Sequence, residues 1–171
     1  NDNPYNLAWS PDESLIAVAI GRSGNGGTNG QVKIINVSSG SQIQTLNPNG
    51  EDRFYSVDWS PDGSRLAIGG NDDMWIYESV NWQINRSMTG TASSTIMDIA
   101  WSPDGAWIAY NRASNSAPRK CYAAPDAELW LMRPDGSLDI RLDQANGAGI
   151  LQNSYPRWGP LPDDDVLWLA Y

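Results

Sequence analysis

Apolar and polar positions alternate over short stretches of this chain, and each stretch stops at a turn. The second such region shows the pattern most clearly. Phe54-Tyr55-Ser56-Val57-Asp58-Trp59 is a run of apolar and small polar residues, closed by Ser60-Pro61-Asp62-Gly63. Proline presets φ for the first corner of a turn, and Asp-Gly supplies a residue that tolerates positive φ. Arg65-Leu66-Ala67-Ile68-Gly69 follows as a second strand, and the residues from Gly69 to Asp73 break the chain again. Met74-Trp75-Ile76-Tyr77-Glu78 makes a third strand, Ser79-Val80-Asn81 a turn, and Trp82 to Ser87 a fourth strand. Four short strands with local turns predict an antiparallel meander.

The same order holds on either side. Before this unit, strands are expected at Tyr5–Trp9, Leu15–Ile20, Gln31–Val37 and Gln42–Leu46. After it, they are expected at Ile96–Trp101, Ala106–Asn111, Glu128–Met132 and Leu138–Leu142, with Arg133-Pro134-Asp135-Gly136 as the last turn. No long stretch shows a capped 3.6-residue period, so essentially no helix is predicted. A further first strand, Ser154–Trp158, and a second, Val166–Tyr171, begin a fourth unit.

One tetrapeptide marks the units. Trp9-Ser10-Pro11-Asp12, Trp59-Ser60-Pro61-Asp62 and Trp101-Ser102-Pro103-Asp104 repeat it, and Trp158-Gly159-Pro160 is a degenerate copy. Four-stranded units repeating at about 40 to 50 residues describe β-propeller blades. The expected fold is therefore all-β: three complete four-stranded antiparallel blades plus the first half of a fourth. The blades fall at about 5–47, 54–90 and 95–143, with the partial one at about 153–171, in a single domain over 1–171. Trp9, Trp59 and Trp101 are expected to pin neighbouring blades by packing between them.

Val32 to Leu46, with its Ser38-Ser39-Gly40 turn, resembles the third and fourth strands of a WD-repeat blade, although Ile35-Asn36 stands where that family has Trp-Asp. The Trp-Ser-Pro-Asp-Gly turns and Glu128 to Gly136 are more similar to TolB-type propellers, a bacterial likeness. Together the resemblance covers nearly the whole chain. It implies a propeller, and these families include scaffolds, transport accessory proteins and protease domains. Fold alone does not assign function. WD-repeat proteins use a Gly-His pair in a buried hydrogen-bond network. This chain has no histidine and cannot build it, though Asp72 or Asp73 stands in the related turn.

Composition narrows the function classes. The chain has 171 residues, nine tryptophans and a net charge of −9. An acidic domain repels phosphate backbones, which disfavours nucleic acid as a partner. No apolar run is long enough for a transmembrane helix. Residue 1 is Asn and no leader pattern follows, so a mature or cut piece is expected. Three and a half blades would leave blade faces and a strand edge open. The chain is therefore expected to be part of a longer propeller of six to eight blades, the rival being two copies joined in one ring. The expected location is the cell envelope or outside the cell rather than the cytoplasm.

Candidate chemistry is sparse. Without histidine there is no Ser-His-Asp triad, and Cys121 has no histidine to activate it. Asp163-Asp164-Asp165 has the acidity to attract Ca²⁺ but reads first as a solvated turn. Asp12, Asp62 and Asp104 are turn formers on separate blades and are not expected to converge on a metal. Gly21 to Gly30 is glycine-rich but lacks the Gly-Lys-Ser/Thr ending and the helix that phosphate binding needs. Asn36-Val37-Ser38 and Asn85-Arg86-Ser87 match the glycosylation sequon, a motif short enough to match by chance. No catalytic residue, metal ligand or cofactor site is expected.

The insertion Asn111–Ala127 carries the strongest functional signal. It holds Arg112, Arg119 and Lys120, three of eleven basic residues in an acidic chain, together with Pro118 and Tyr122. Extra loops on repeat proteins gather on one face, often the binding face. Propeller topology would ring one rim with 21–30, 47–54, 71–73, 89–95, 111–127 and 143–153. Arg112, Arg119, Lys120, Tyr122, Asp72 and Asp73 are thus the candidate partner-binding residues. The expected function is a non-enzymatic protein- or peptide-binding scaffold, part of a larger propeller. The alternatives are the propeller portion of a hydrolase such as a prolyl-oligopeptidase-like peptidase, or a carbohydrate-binding propeller using Trp82 or Trp107.

Overall fold

The computed structural model describes residues 2–22, 30–50, 53–71, 73–89, 94–114, 127–142, 156–159 and 169–170. Blade 1 is β1 (Asp2–Trp9), β2 (Leu15–Arg22), β3 (Gln31–Asn36) and β4 (Gln42–Leu46). Blade 2 is β5 (Phe54–Trp59), β6 (Arg65–Gly70), β7 (Asp73–Glu78) and β8 (Gln83–Thr89). Blade 3 is β9 (Ser94–Trp101), β10 (Ile108–Ser114), β11 (Glu128–Met132) and β12 (Asp139–Arg141). In each sheet the strands lie in chain order, every pair antiparallel. A partial fourth sheet pairs β13 (Arg157–Trp158) with β14 (Leu169–Ala170). Among the described residues the only helical segment is a 3-10 turn, Pro48–Gly50.

The turns form as their chemistry dictates. Each serine after the tryptophan donates its hydroxyl to the aspartate two residues on: Ser10 to Asp12 and Ser60 to Asp62 at 2.6 Å, Ser102 to Asp104 at 2.5 Å. The same serine oxygen accepts the N–H five residues on, from Leu15, Arg65 and Trp107, at 2.9 Å each. Gly63 and Gly105 take φ of 70° and 69°. Blade 1 places Glu13 there, at φ 60°. This ring of bonds also moves one boundary. Ala106 and Trp107 belong to the turn, so β10 starts at Ile108 rather than Ala106.

The inner strands share a second feature. The residue four before each tryptophan (Tyr5, Tyr55 or Met97) is skipped in the register with the second strand. Such a bulge twists the strand and re-aims the next side chain. The next residues are Asn6, Ser56 and Asp98, and all three are used between blades.

Each seam buries its own apolar cluster. Ala17, Ala19, Val32 and Ile34 of blade 1 pack with Val57, Trp59, Leu66 and Ile68 of blade 2. Ala67, Met74 and Ile76 of blade 2 pack with Ile99, Trp101, Ile108 and Met132 of blade 3. Gly69 is required at the second seam, because a Cβ there would stand 2.8 Å from the Ile96 side chain.

Candidate functional site

Three places bring polar groups together. The first lies among the inner strands. The Val57 N–H donates to Asn6 Oδ1 and the Ile99 N–H to Ser56 Oγ, each at 3.1 Å. One position therefore performs one task at two successive seams. The tryptophans add bonds of their own. The Trp59 Nε1–H donates to the Ala8 carbonyl at 3.3 Å, and the Trp158 Nε1–H to that of Ala100 at 3.0 Å. At Trp101 the backbone N–H donates instead to Asp58 Oδ2 at 2.7 Å. The blades are thus tied by directed bonds as well as by packing.

A cavity of about 420 Å³ opens between these strands, with Asp58, Asp98 and Arg157 in its wall. Asp98 accepts the Ser56 hydroxyl at 3.0 Å and pairs with Arg157, also at 3.0 Å. Burial pushes the Asp58 carboxyl up to about 6, against its bonds from the Trp101 and Trp59 N–H groups. Burial also raises Asp98, with Arg157 opposing it. Both carboxylates are committed to holding blades together. Neither stands beside a nucleophile with a histidine base, because the chain has no histidine.

The second place is the rim. An antiparallel bridge joins Gly21, at the end of β2, to Arg53, before β5. Another joins Asn71, after β6, to Thr95 on β9. The links between strands two and three and the links between blades therefore share one edge. The ends of β10 and β11 lie at this edge, and a network of charges and rings gathers there. The Arg112 guanidinium sits 5.3 Å from the Trp130 ring, the Trp130 Nε1–H donates to Glu128 at 2.9 Å, and Arg141 pairs with the same carboxylate. Of the six residues expected on the rim, Arg112 is part of this network. Asp73 opens β7 and is buried. Asp72, Arg119, Lys120 and Tyr122 lie outside the described residues, as do Cys121 and Asp163 to Asp165. Sequence reasoning missed Glu128, Trp130 and Arg141. Their signal was an acidic–aromatic alternation read only as a strand.

The third place is the opposite edge, where the Ser-Pro-Asp turns lie. Their aspartates are held ionised. The Ser10 hydroxyl and the Ser14 N–H lower Asp12, and the Ser60 hydroxyl brings Asp62 to about 2. Partial burial works against Asp104, but the Ser102 hydroxyl and the Ala106 N–H still hold it low. Among the described residues no group of three metal-ligating side chains comes together. Trp82 lies edge-to-face with Trp59 at 6.0 Å, and Trp107 lies under Arg133 at 3.7 Å. Both are engaged in packing. No described helix is long and apolar enough to cross a membrane.

Comparison with known proteins adds the family context. The model of the WD domain, G-beta repeat (WD40), matches residues 40–77 and 82–111. These segments run from β4 into blade 2 and from β8 into blade 3, so each spans the outer strand of one blade and inner strands of the next. No curated protein matches the chain. Two solved structures are similar to it, each at 16% identity. One, the structure of U3-55K, has a TM-score of 0.63 over 83% of this chain and 39% of that one. The other, the crystal structure of the RRP9 WD40 repeats, has a TM-score of 0.62 over 82% and 38%. The chain thus spans less than two-fifths of the length of either. At this identity the likeness establishes the fold alone, a β-propeller, and the two matched segments are similar to WD40 repeats.

Proposed function

We propose that this chain is a non-catalytic binding scaffold that presents its loop rim to a protein or peptide partner. The observation that carries the reading is the rim network of Arg112, Trp130, Glu128 and Arg141 at the mouth of the insertion. Arginine and tryptophan are the residues most often found at binding hot spots. Ion pairs and cation–π contacts fix them in place and lower the entropy lost on binding. WD40 repeats typically mediate protein interactions, which agrees with this use.

The scaffold is also proposed to be one part of a larger propeller. Tyr5, Leu7 and Trp9 support this, because β1 exposes them at the row that blade 2 buries as Tyr55, Val57 and Trp59. Another blade of the same kind would cover them. The test of the scaffold reading removes residues 115–124 and, separately, substitutes Trp130→Ala. Partners captured quantitatively by the wild type should be lost in both variants while each keeps the wild-type circular-dichroism spectrum. Unchanged capture would overturn it.

A further inference from the structure

The first two seams use one pattern of hydrogen bonds, and β1 repeats the donor half of it. Asn6 Oδ1 of blade 1 accepts the Val57 N–H of blade 2, and Ser56 Oγ of blade 2 accepts the Ile99 N–H of blade 3, each at 3.1 Å. At the first seam the Ala8 carbonyl, two residues beyond Asn6, also accepts the Trp59 Nε1–H at 3.3 Å. The covering blade keeps its second strand small against this row, with Ala17 and Ala19 in blade 1 and Ala67 and Gly69 in blade 2. Leu7 stands opposite Val18 as Val57 stands opposite Ile68, so its N–H turns away from β2 in the same way. That N–H and the Trp9 Nε1–H meet no acceptor among the described residues. Leu7 and Trp9 are both more than half exposed.

The third seam shows that the acceptor follows the donor. Pro156 stands where Val57 and Ile99 stand, two residues before the tryptophan, and proline has no N–H to give. The acceptor position of blade 3 is Asp98, which takes the Ser56 hydroxyl and pairs with Arg157, each at 3.0 Å. The indole bond persists there, from Trp158 Nε1–H to the Ala100 carbonyl at 3.0 Å.

We propose that β1 packs against a further blade of the same larger propeller, and that two hydrogen bonds select that blade. Its inner strand carries a neutral acceptor, asparagine or serine, for the Leu7 N–H and, two residues on, a carbonyl for the Trp9 Nε1–H. Its second strand is small where it meets Leu7 and Trp9. Apolar area alone would admit any greasy sheet. A buried N–H without an acceptor is costly, so a blade lacking one is rejected. The inference rests on the larger-propeller reading and deepens it from a covered face to a specified neighbour.

The test duplicates residues 1–50 ahead of residue 1, which repeats the spacing from Trp9 to Trp59 and sets a copy of blade 1 before β1. Hydrogen exchange is followed by NMR at the original Leu7 amide and Trp9 indole, with the Val57 amide as reference. The added blade should slow both at least about tenfold relative to the wild type. Asn6→Ala in the added copy alone should return the Leu7 amide to within about threefold of the wild type and leave the indole protected. Asn6→Ser in that copy, which imitates Ser56, should keep both slow. Protection of the indole without the Leu7 amide, or equal protection of that amide in the alanine copy, would overturn the selection and leave the larger propeller standing. Protection of neither would overturn both.

Discussion

Tyr5, Leu7 and Trp9 are 37%, 58% and 51% exposed, whereas Tyr55, Val57 and Trp59 are 8%, 2% and 4% exposed. These are the same three positions of the same inner strand, one blade apart. Blade 1 covers the second row, whereas in the first row Tyr5 tilts against Tyr55 at 5.4 Å and Leu7 and Trp9 stay more than half exposed. The difference is therefore made by the neighbour and not by the residues. In a propeller each blade is half a core, and an apolar row becomes stabilising only when the next sheet arrives.

The sharpest way to break this comparison is to truncate the same residue in both rows. Trp59→Ala removes a buried indole and its bond to Ala8, and should cost about 3–5 kcal/mol in urea unfolding. Trp9→Ala should cost less than about 1 kcal/mol, because half of that ring already meets water. Similar losses at the two sites would mean that the row is not a seam.

The directed bonds come next. Asn6→Ala strands the buried Val57 N–H and should cost about 1–3 kcal/mol, measured in the same way. A double-mutant cycle of Asn6→Ala with Ser56→Ala should be close to additive, since the two bonds serve different seams.

A smaller effect is expected at the first turn, where Glu13 adopts the left-handed conformation that Gly63 and Gly105 adopt in the other blades. Glu13→Gly should stabilise by about 1 kcal/mol by relieving the Cβ strain. Gly63→Ala should destabilise by a similar amount. A neutral Glu13→Gly would show that the strain is relaxed in solution.

The smallest effect is on pH dependence. Asp58 is raised to about 6 and Asp98 is raised as well, so the folded state binds more protons than the unfolded chain between the ordinary aspartate range and about 6. Stability from Asp58 is therefore greatest below that range and is lost as pH rises through about 6, and Asp98 acts in the same sense. The turn aspartates act in the opposite sense. Asp62, lowered to about 2, contributes stability above the ordinary range and loses it as pH falls towards 2. The urea midpoint should rise from pH 7.5 to 5.5 and fall below about pH 4. A midpoint that falls steadily from pH 7.5 downwards would contradict the assignment of Asp58 and Asp98.

Much of this architecture is local, and local chemistry is legible in sequence. Pro11-Asp12, Pro61-Asp62 and Pro103-Asp104 announce turns, and the runs between them announce strands. The bonds between blades are harder to see. Asn6 meets Val57 and Ser56 meets Ile99 across one whole repeat. Their trace is a polar residue three before each tryptophan, which gains meaning only once the bulge at Tyr5, Tyr55 and Met97 aims it sideways. The Arg112 network was half legible. Arginine at an insertion suggests a rim, but Trp130 and Glu128 join it only through the register of β10 with β11 and of β11 with β12. Trp9 shows the opposite failure. Its motif is identical to that of Trp59, and its burial differs because sequence identity does not carry its neighbour along.

The central proposal is that the exposed Leu7 and Trp9 on β1 form a face against which another blade packs. Sedimentation equilibrium of the wild type and of the Leu7→Lys/Trp9→Lys double variant tests it most directly. Alone in solution, the wild type should self-associate with rising concentration through this face. The double variant should stay monomeric with an unchanged circular-dichroism spectrum. A wild type that remains monomeric over the whole range, or a double variant that associates equally, would contradict the claim.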